Sequence, residues 1–591
     1  MNLKKIIYST LIVIGFSIAS CVEQGQLDVN TVVQHISTQP DGLHPCNNNS
    51  AVRSFIFQYT QKTLIRMDLG NLEEIPQLVE NLGEISEDGL SYTYKIKQGI
   101  KWDDGSEFTA DDVEFSTKIV LCQLTDNTQV RSIYSSVIDS IELYPNDPYK
   151  FTMHAKQLHV NNKTIMGGMY MQQRKYWDPN NILNNLNFKN IHDKKWKPTK
   201  KIDDWFVKFN HPDNSYVSEL LVGLGPYQVT EFKTGQYITI EKKKDWWGEK
   251  DEYNQSIYNK AFPEKIIFRI IKEDAAVYFA LKNERIDVTT TLSTKKFLDL
   301  RENELFNENY KSAFVDRFGY NYIGLNMKPD GIKHKKFFTD KKVRRAMAYL
   351  TPVEKLIEVI AKGQAIRQTS NVSPLKNSYN NTLLEIPLDI DKAKQLLEEA
   401  GWIDTDGDNI RDKIVDGEKL QMSFNLSYMS SPISQQLVLI VQESMKQAGV
   451  DAIPTPMDFS LFYERAQNHE FDAMIGGWAS SAAYSDPMQL WHTSSWLTNG
   501  SNFCGFGDAE SDALIMEANT SIDPIKHKEA ILKLQAKIYD EQPYIFLYSS
   551  KNKIAIHNRF TNANMYRERP GVVLNNLLLK HGNTQSSTNG L

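Results

Sequence analysis

The segment between Phe471 and His492 carries the side chains best suited to hold a ligand. It begins with an apolar run of the length of a buried strand, which Gly476 and Gly477 end. In open α/β folds, ligands bind just beyond the carboxyl ends of strands, so the residues that follow are well placed for binding. They combine an aromatic wall, hydroxyl groups and one acid: Trp478, Ser480, Ser481, Tyr484 and Asp486. This chemistry suits a small polar solute.

The same segment also has a purely structural interpretation, in which its tryptophans are core aromatics and its serines form a solvated loop. Trp491 and His492 lie about a helical turn further on, and we expect both to be structural. Asp486 precedes Pro487, so its carboxylate could cap the helix that follows instead of facing a ligand. Both interpretations of Asp486 stay open at this point.

A cluster of acidic residues resembles a calcium-binding loop. Asp404, Asp406, Asp408 and Asp412 occupy the first, third, fifth and ninth positions of such a loop. The glycine of the sixth position and the bidentate glutamate of the twelfth are both missing. We therefore expect an Asp/Gly-rich turn between a helix and a strand, with Ca²⁺ binding as the alternative.

Motifs of the common enzyme classes are absent from the sequence. It contains no G-x-S-x-G turn, no H-E-x-x-H motif and no phosphate-binding loop. Its cysteines and histidines do not have metal-ligand spacing. A net charge of −6 gives no basic footprint for nucleic acid. We expect a protein that is not an enzyme, needs no cofactor and does not bind nucleic acid.

The N-terminal residues 1–20 have the pattern of an export signal. Lys4 and Lys5 precede an apolar run that is too short to span a bilayer comfortably. The run ends in Ile-Ala-Ser directly before Cys21, as in a bacterial lipobox, whose cysteine is diacylated and becomes the mature N-terminus. We expect the lipid on Cys21 to anchor the exported protein to a membrane. The alternative is an ordinary signal peptide, with Cys21 incidental.

Three further cysteines, Cys46, Cys122 and Cys504, remain after that processing. An exported protein meets an oxidising compartment, where one disulfide can form and one thiol must be left over. We expect Cys46 and Cys122 to form the disulfide, because both lie in the N-terminal third of the chain.

A chain of 591 residues is long enough for two or three domains. Thr31–Ile36 has the pattern of a strand, and Thr109 with Asp112 forms a capping box that begins a predicted helix ending near Leu121. Alternation of short strands with capped helices predicts an α/β protein. The asparagine-rich residues 180–190 predict a long surface insertion.

Several motifs along nearly the whole mature chain resemble those of one family. The longest, IPQLVENLGEISEDGLSYTYKIKQGIKWDDGSEFTADDVEFS, begins at Ile75. Residues 223–227 resemble that family's GTGPY block, and residues 471–478 resemble its FDA..GGW strand. The family is that of the family 5 extracellular solute-binding proteins, which includes the oligopeptide- and dipeptide-binding components of bacterial ABC importers.

The resemblance implies an α/β fold of the periplasmic-binding-protein type (class II), with two lobes joined by a hinge and an extra third domain. Mixed sheets flanked by helices would build these domains, and two strands near residues 320–327 and 545–548 would cross between the lobes. The implied boundaries are residues 22–45, 205–318 and 548–591 for domain I, residues 46–204 for domain II and residues 319–547 for domain III.

The resemblance also implies roles for individual residues. The family's counterpart of Trp478 lines the ligand cavity. In its peptide binders, an aspartate at the position of Ser481 holds the α-amino group of the ligand. The serine departs from that pattern, and Asp486 would take over the role if the slightly longer loop folds inward. Tyr484 and Asn326 are further expected wall residues.

Taken as a whole, the resemblance implies a monomeric, exported substrate-binding lipoprotein of an ABC transporter. We expect it to capture peptides between two closing lobes and to deliver them to a permease. With Ser481 in place of the acid, the runner-up ligand is a non-peptide solute, such as an oligosaccharide, an opine, a nickel chelate or haem. A surface lipoprotein without a transport role is the third interpretation.

Overall fold

The computed structural model describes residues 30–48, 50–250, 252–328, 334–415, 417–496 and 500–580. The predicted signal segment and Cys21 lie outside these ranges. Within them, no helix has both the length and the apolar character that a membrane span needs. The described strands form sheets of seven, five and four strands and four two-stranded ribbons.

The seven-stranded sheet joins strands from distant parts of the chain. The predicted strand Thr31–Ile36 is confirmed: it is fully buried and runs parallel to Lys265–Ile270 along its whole length. A strand without exposed positions is typical of a sheet that is covered on both faces. The order across the sheet is Tyr310–Val315, Asn552–His557, Val288–Thr289, Thr31–Ile36, Lys265–Ile270, Tyr237–Lys242 and Tyr227–Lys233.

The four-stranded sheet is antiparallel and comes from one stretch of the chain. Helix Ala110–Leu121 packs beside it, and its predicted capping box between Thr109 and Asp112 is present. Most residues of this helix are buried in a hydrophobic core that also holds Trp205. The order across the sheet is Glu84–Ile85, Ser91–Lys95, Lys150–Ala155 and Ile138–Leu143.

The five-stranded sheet contains the strand that leads into the predicted binding segment. Ala473–Trp478 runs parallel to Ser423–Met429 and antiparallel to Tyr320–Leu325. This strand is buried at its start and becomes partly exposed from Gly476 onward, so the residues after it leave the core. The order across the sheet is Asp451–Met457, Ser423–Met429, Ala473–Trp478, Tyr320–Leu325 and Tyr544–Phe546.

Two short connections link the seven-stranded and five-stranded sheets. Residues 316–319 form one of them, and residues 547–551, which include the ribbon strand Tyr548–Ser550, form the other. Val315 pairs with Asn552, so the two connections leave the larger sheet side by side. The two-stranded ribbons pair Ala365–Arg367 with Tyr548–Ser550, Asp412–Val415 with Glu418–Gln421, Ile65–Met67 with Glu74–Pro76, and Phe560–Thr561 with Leu578–Leu579.

Helices cover these sheets. The α-helices are Ala51–Thr60, Ala110–Leu121, Thr128–Val137, Asn162–Gly167, Arg174–Trp177, Phe188–His192, Lys200–Phe209, Asp274–Lys282, Thr294–Arg301, Glu304–Asn309, Lys341–Leu350, Val353–Val359, Ile390–Glu399, Pro432–Lys446, Phe459–Gln467, Met488–Trp491, Ala509–Thr520 and Pro524–Glu541. The 3₁₀ turns are Ile182–Asn185, Pro212–Ser215, Ser218–Leu220, Trp247–Glu249, Ile257–Asn259, Lys336–Thr339, Thr493–Trp496 and Leu574–Asn576.

The predicted disulfide is not present, because Cys46 and Cys122 are both free thiols. Both are buried in the hydrophobic core around helix Ala110–Leu121. Burial raises the pKa of Cys46 to about 12 and that of Cys122 to about 11, so both thiols stay protonated. A buried neutral thiol packs as a small apolar side chain, and packing accounts for these two cysteines.

Residues 180–190 are mostly exposed, as expected of a surface segment. They fold into the 3₁₀ turn Ile182–Asn185 and the start of helix Phe188–His192. Leu183 and Leu186, together with the adjoining Ile191, enter the same core as helix Ala110–Leu121. That the segment is an insertion stays a prediction.

Candidate ligand-binding site

Two neighbouring cavities open against the connection between the seven-stranded and five-stranded sheets, and Phe318 and Tyr320 line both of them. The Tyr484 cavity has a volume of about 570 Å³. It is lined by residues 71–73, 318, 320, 371–372, 375–378, 482, 484–487, 490–491, 527–528, 531 and 534. The Trp478 cavity has a volume of about 210 Å³. It is lined by residues 317–321, 477–480, 552 and 567–569.

Trp478 forms the aromatic wall of the Trp478 cavity. Its ring lies parallel to that of Tyr322, with ring centroids 6.4 Å apart and planes at 10°, and its other neighbour is Phe503. Its indole N–H donates to the hydroxyl of Tyr544 at 3.3 Å. These contacts fix the orientation of the half-buried indole, which lowers the entropic cost of binding against it.

The two serines after Trp478 lie in different places. Ser480 lines the Trp478 cavity, and its hydroxyl is 3.1 Å from that of Ser485. Ser481 lines neither cavity. The next backbone N–H, that of Ala482, donates to Glu568 Oε2 at 2.7 Å. A carboxylate from the C-terminal part of the chain therefore reaches the loop in which the resemblance pointed to an acid.

Tyr484 and Asp486 lie on the Tyr484 cavity and share a partner, Asn519. The Tyr484 hydroxyl donates to Asn519 Oδ1, and Asn519 Nδ2 donates to Asp486 Oδ1, both at 2.8 Å. Asp486 Oδ1 also accepts the backbone N–H of Met488 at 2.8 Å, at the start of helix Met488–Trp491. Asp486 therefore lies at the cavity and also binds the first turn of the next helix, which were the two positions predicted for it.

The same loop contacts the segment that follows the four-stranded sheet. Asp486 Oδ2 is 3.3 Å from His159 Nε2, and the N–H of Val160 donates to the carbonyl of Asn519 at 2.8 Å. Burial alone would raise the pKa of Asp486, but hydrogen bonds from His159, Met488 and Asn519 outweigh burial and leave this pKa below its ordinary value. The carboxylate is ionised and holds the loop in place.

Lys376 brings an ammonium group to the Tyr484 cavity, and sequence reasoning missed this residue. Its Nζ donates to the carbonyl of Ala483 at 2.7 Å. Burial lowers the pKa of Lys376 to about 8, and the negative charge of Glu568 opposes that effect. A single lysine in a loop has no sequence signal that would have identified it.

Three arginines line the Trp478 cavity and were also missed: Arg317, Arg567 and Arg569. Arg317 belongs to residues 316–319, and the other two flank Glu568 near the end of the described chain. Burial lowers the pKa of Arg317, and the positive charge of Arg569 lowers it further. Arg317 is far in sequence from Arg567 and Arg569, so only the folded chain brings it to them.

Asn326 is not a wall residue, contrary to the prediction. It is completely buried, and its Nδ2 donates to the carbonyls of His469 and Phe471 at 3.0 and 2.8 Å. These bonds tie the end of strand Tyr320–Leu325 to the start of the binding segment. Because the amide is fully engaged inside the protein, it is not available to a ligand.

Trp491 is structural, as expected. It is 1 % exposed and packs against Tyr544 with ring centroids 4.7 Å apart. It also lines the Tyr484 cavity. His492 accepts the backbone N–H of Ser494 and also serves the fold.

The acidic turn brings three of its four aspartates together, with oxygens within 4.8 Å of one another: Asp404, Asp406 and Asp412. Asp408 is not part of this group. Lys419 Nζ lies 2.6 Å from Asp406 and 3.2 Å from Asp412. The Asp404 carboxylate accepts two backbone N–H groups of the turn, as in the predicted Asp/Gly turn. An ammonium group therefore offsets part of the negative charge that would attract Ca²⁺.

The fold and the cavities at the junction of two sheets define an α/β solute-binding protein of the periplasmic-binding type. The chain belongs to the bacterial extracellular solute-binding proteins, family 5, and residues 73–501 match the middle region of that family. The predicted family and fold class are thereby confirmed.

Similar proteins span almost the whole chain. The oligopeptide-binding protein AppA of Bacillus subtilis is 27% identical over 490 residues, which are 81% of this chain and 79% of AppA. The dipeptide-binding protein of Escherichia coli is 21% identical over 573 residues, or 93% and 94% of the two chains.

Solved structures give the same result. AppA of Bacillus subtilis in complex with a nonapeptide has a TM-score of 0.71 at 25% identity, and the match covers 93% of this chain and 99% of AppA. NikA of Brucella suis in complex with Fe(III)-EDTA has a TM-score of 0.74 at 19% identity, covering 93% and 100%. The likeness to NikA shows a shared fold alone.

Proposed function

We propose that the protein captures peptides and delivers them to the permease of an ABC importer. Support comes from AppA, which is similar over most of its length and whose solved structure holds a nonapeptide. The dipeptide-binding protein of Escherichia coli adds a second peptide binder that matches over nearly the full chain.

The Tyr484 cavity is the observation that carries this proposal. Its volume of about 570 Å³ falls within the range of roughly 300–1,000 Å³ that is usual for small-molecule sites. Its wall alternates apolar side chains, such as Leu375 and Ile531, with polar groups, such as Tyr484 and Asn377. A peptide has the same alternation of apolar side chains and polar backbone groups, so such a wall suits it.

We propose that two lobes close on the ligand. Domain I would comprise residues 22–45, 205–318 and 548–591, domain III residues 319–547, and domain II residues 46–204 beside them. Residues 316–319 and 547–551 would act as the hinge, because they are short connections that leave the larger sheet side by side. Closure would cover a ligand held against Phe318 and Tyr320 and would exclude water from its hydrogen bonds.

The remaining parts of the proposal concern location and partners. The family is extracellular, which supports export through residues 1–20, and the lipid on Cys21 would hold the protein at a membrane surface. The protein would act as a monomer that binds and releases its ligand without turnover. The absence of enzyme motifs from the sequence supports that last point.

Native mass spectrometry of the gently purified, lipid-free protein tests the peptide ligand. We expect a co-purifying peptide, or one-to-one binding of an added peptide together with a higher melting temperature of the complex. A tightly bound sugar or metal chelate, with no binding of any peptide, would contradict the proposal and favour the runner-up. The Trp478→Ala variant serves as the reference with an impaired site.

A further inference from the structure

The charged groups around the Trp478 cavity are unbalanced. Arg317, Arg567 and Arg569 line it, and Glu568 is the one carboxylate among its lining residues. Both oxygens of Glu568 are engaged, since Oε2 accepts the N–H of Ala482 at 2.7 Å and Oε1 accepts the N–H of Arg569 at 3.2 Å. Glu568 also faces the ammonium of Lys376. The cavity wall therefore has an excess of positive charge.

None of the three arginines forms an ion pair with a carboxylate of the described residues. The Nε of Arg317 is buried and lacks a hydrogen-bond partner within the described chain. Three other guanidinium groups of the described chain have carboxylate partners, at distances of 2.7 to 3.0 Å. These pairs are Arg344 with Glu541, Arg411 with Glu398, and Arg559 with Asp287.

Further positive charge stands behind the cavity wall. Burial and then the positive charge of Arg317 lower the pKa of Lys553 to about 8, and the negative charge of Asp274 opposes them. The positive charge of Arg569 likewise lowers the pKa of Arg317. Crowded like charges raise the free energy of the empty protein, and a bound anion would offset that cost.

We propose that the Trp478 cavity binds a carboxylate of the ligand, held by Arg317, Arg567 and Arg569 beside the indole of Trp478. The planar guanidinium matches a carboxylate with two parallel hydrogen bonds, and such charge-assisted bonds are strong in a closed site. An ammonium group would be repelled there. This inference rests on the proposed function and specifies which end or side chain of a peptide enters this cavity.

A peptide can present a carboxylate from its C-terminus or from an aspartate or glutamate side chain. Isothermal titration distinguishes the two with a pentapeptide of uncharged side chains in three forms: free acid, C-terminal amide, and amide with one internal glutamate. We expect the amide to bind at least about tenfold more weakly than the acid, because it lacks one charge-assisted contact. Recovery by the glutamate form would identify a side-chain source. N-acetylation of the acid should leave binding in place.

Equal affinity of the acid and both amides, or loss of binding on N-acetylation, overturns the inference. If no peptide binds in any form, the proposed function fails, and thermal shift with glutarate and glutaramide decides the inference alone. A rise in melting temperature with glutarate and none with glutaramide supports the carboxylate site. No difference between these two compounds contradicts it.

Variants test the sign of the charge. Arg567→Gln combined with Arg569→Gln changes exposed side chains, so the fold should persist, and we expect the preference for the acid over the amide to fall at least about threefold. Glu568→Gln keeps an acceptor for Ala482 and should leave acid binding intact or strengthen it. Arg285→Gln removes an exposed charge outside the cavity as the matched control. An unchanged preference in the double variant, or loss of acid binding in Glu568→Gln, contradicts the proposal.

Discussion

The two cavities differ in whether their charged side chains already have partners within the protein. On the Tyr484 cavity, Asp486 is bound by Asn519 and His159, and the Lys376 ammonium holds a backbone carbonyl. The Trp478 cavity is lined by three arginines that have no carboxylate partner among the described residues. A wall whose polar groups are satisfied therefore gives shape, whereas a wall with excess charge can select the charge of its ligand.

The strongest predicted contrast is in stability, between changes at the two tryptophans of the binding segment. Trp491→Ala should lower the free energy of unfolding by about 3–5 kcal/mol, because a fully buried ring is lost and a void is left. Urea unfolding of the ligand-free protein measures this. The half-buried Trp478→Ala should cost clearly less. Equal losses would mean that Trp478 belongs to the core and would remove the contrast between the cavities.

For ligand affinity we expect the opposite order, with the larger effect from the change at Trp478. Trp478→Ala should weaken binding of the ligand identified by mass spectrometry by at least about tenfold, since aromatic anchors dominate binding free energies. Isothermal titration provides the measurement, with Trp491→Phe as the control that keeps a ring on the Tyr484 cavity. Wild-type affinity in Trp478→Ala would show that the Trp478 cavity takes no part in binding.

Asp486→Asn tests whether the Tyr484 wall is held by its carboxylate. We expect a loss of about 1–2 kcal/mol of stability, because the remaining oxygen can still accept from Met488 and Asn519, but the amide nitrogen in place of Oδ2 cannot accept from His159. Thermal unfolding measures it, and Ser485→Ala in the same loop is the control.

The pH dependence of this effect has a definite sign. Hydrogen bonds keep the pKa of Asp486 in the folded protein below its ordinary value, so its contribution is complete above the ordinary pKa. The contribution is lost as the pH falls through the folded pKa, where the carboxylate becomes protonated. The stability difference between wild type and Asp486→Asn should therefore shrink in acid. A difference that grows in acid contradicts this account.

Lys376 should give a smaller, pH-dependent effect. Its pKa is about 8 when folded, against 10.5 for an ordinary lysine, so the unfolded chain binds more protons between these values. Stability from this group must then rise as the pH increases from about 8 to 10.5. Lys376→Met should remove that rise in melting temperature, whereas Lys528→Met, an exposed lysine on the same cavity, should retain it.

The smallest expected effect is that of Ser481→Asp. Because Ser481 lines neither cavity, a carboxylate there should change the affinity for a free-amine peptide by no more than roughly twofold to fivefold, as for an exposed ion pair. Titration with a peptide and its N-acetylated form measures the change, and Ser481→Asn is the uncharged control. A large gain that N-acetylation abolishes would make the loop, rather than the Trp478 cavity, the charge-selective element.

Much of the framework was predictable because its signals are local. The strand Thr31–Ile36, the capping box of Thr109 and the apolar run before Gly476 each depend on neighbouring residues. The same local reasoning failed where the outcome depends on distant partners. Asn326 was expected on a cavity wall, but its amide donates to two buried backbone carbonyls. Cys46 was expected in a disulfide but packs as a free thiol.

The family, the α/β character and the segment that borders the cavities can be inferred from the sequence, since motifs and hydrophobic periodicity lie in contiguous residues. The charge of the site, in contrast, emerges only in the folded chain. Arg317, Glu568 and Lys376 come from three separate segments and meet around the binding loop. Electrostatic interaction depends on distance in space and on burial, and neither quantity can be read from positions along a chain.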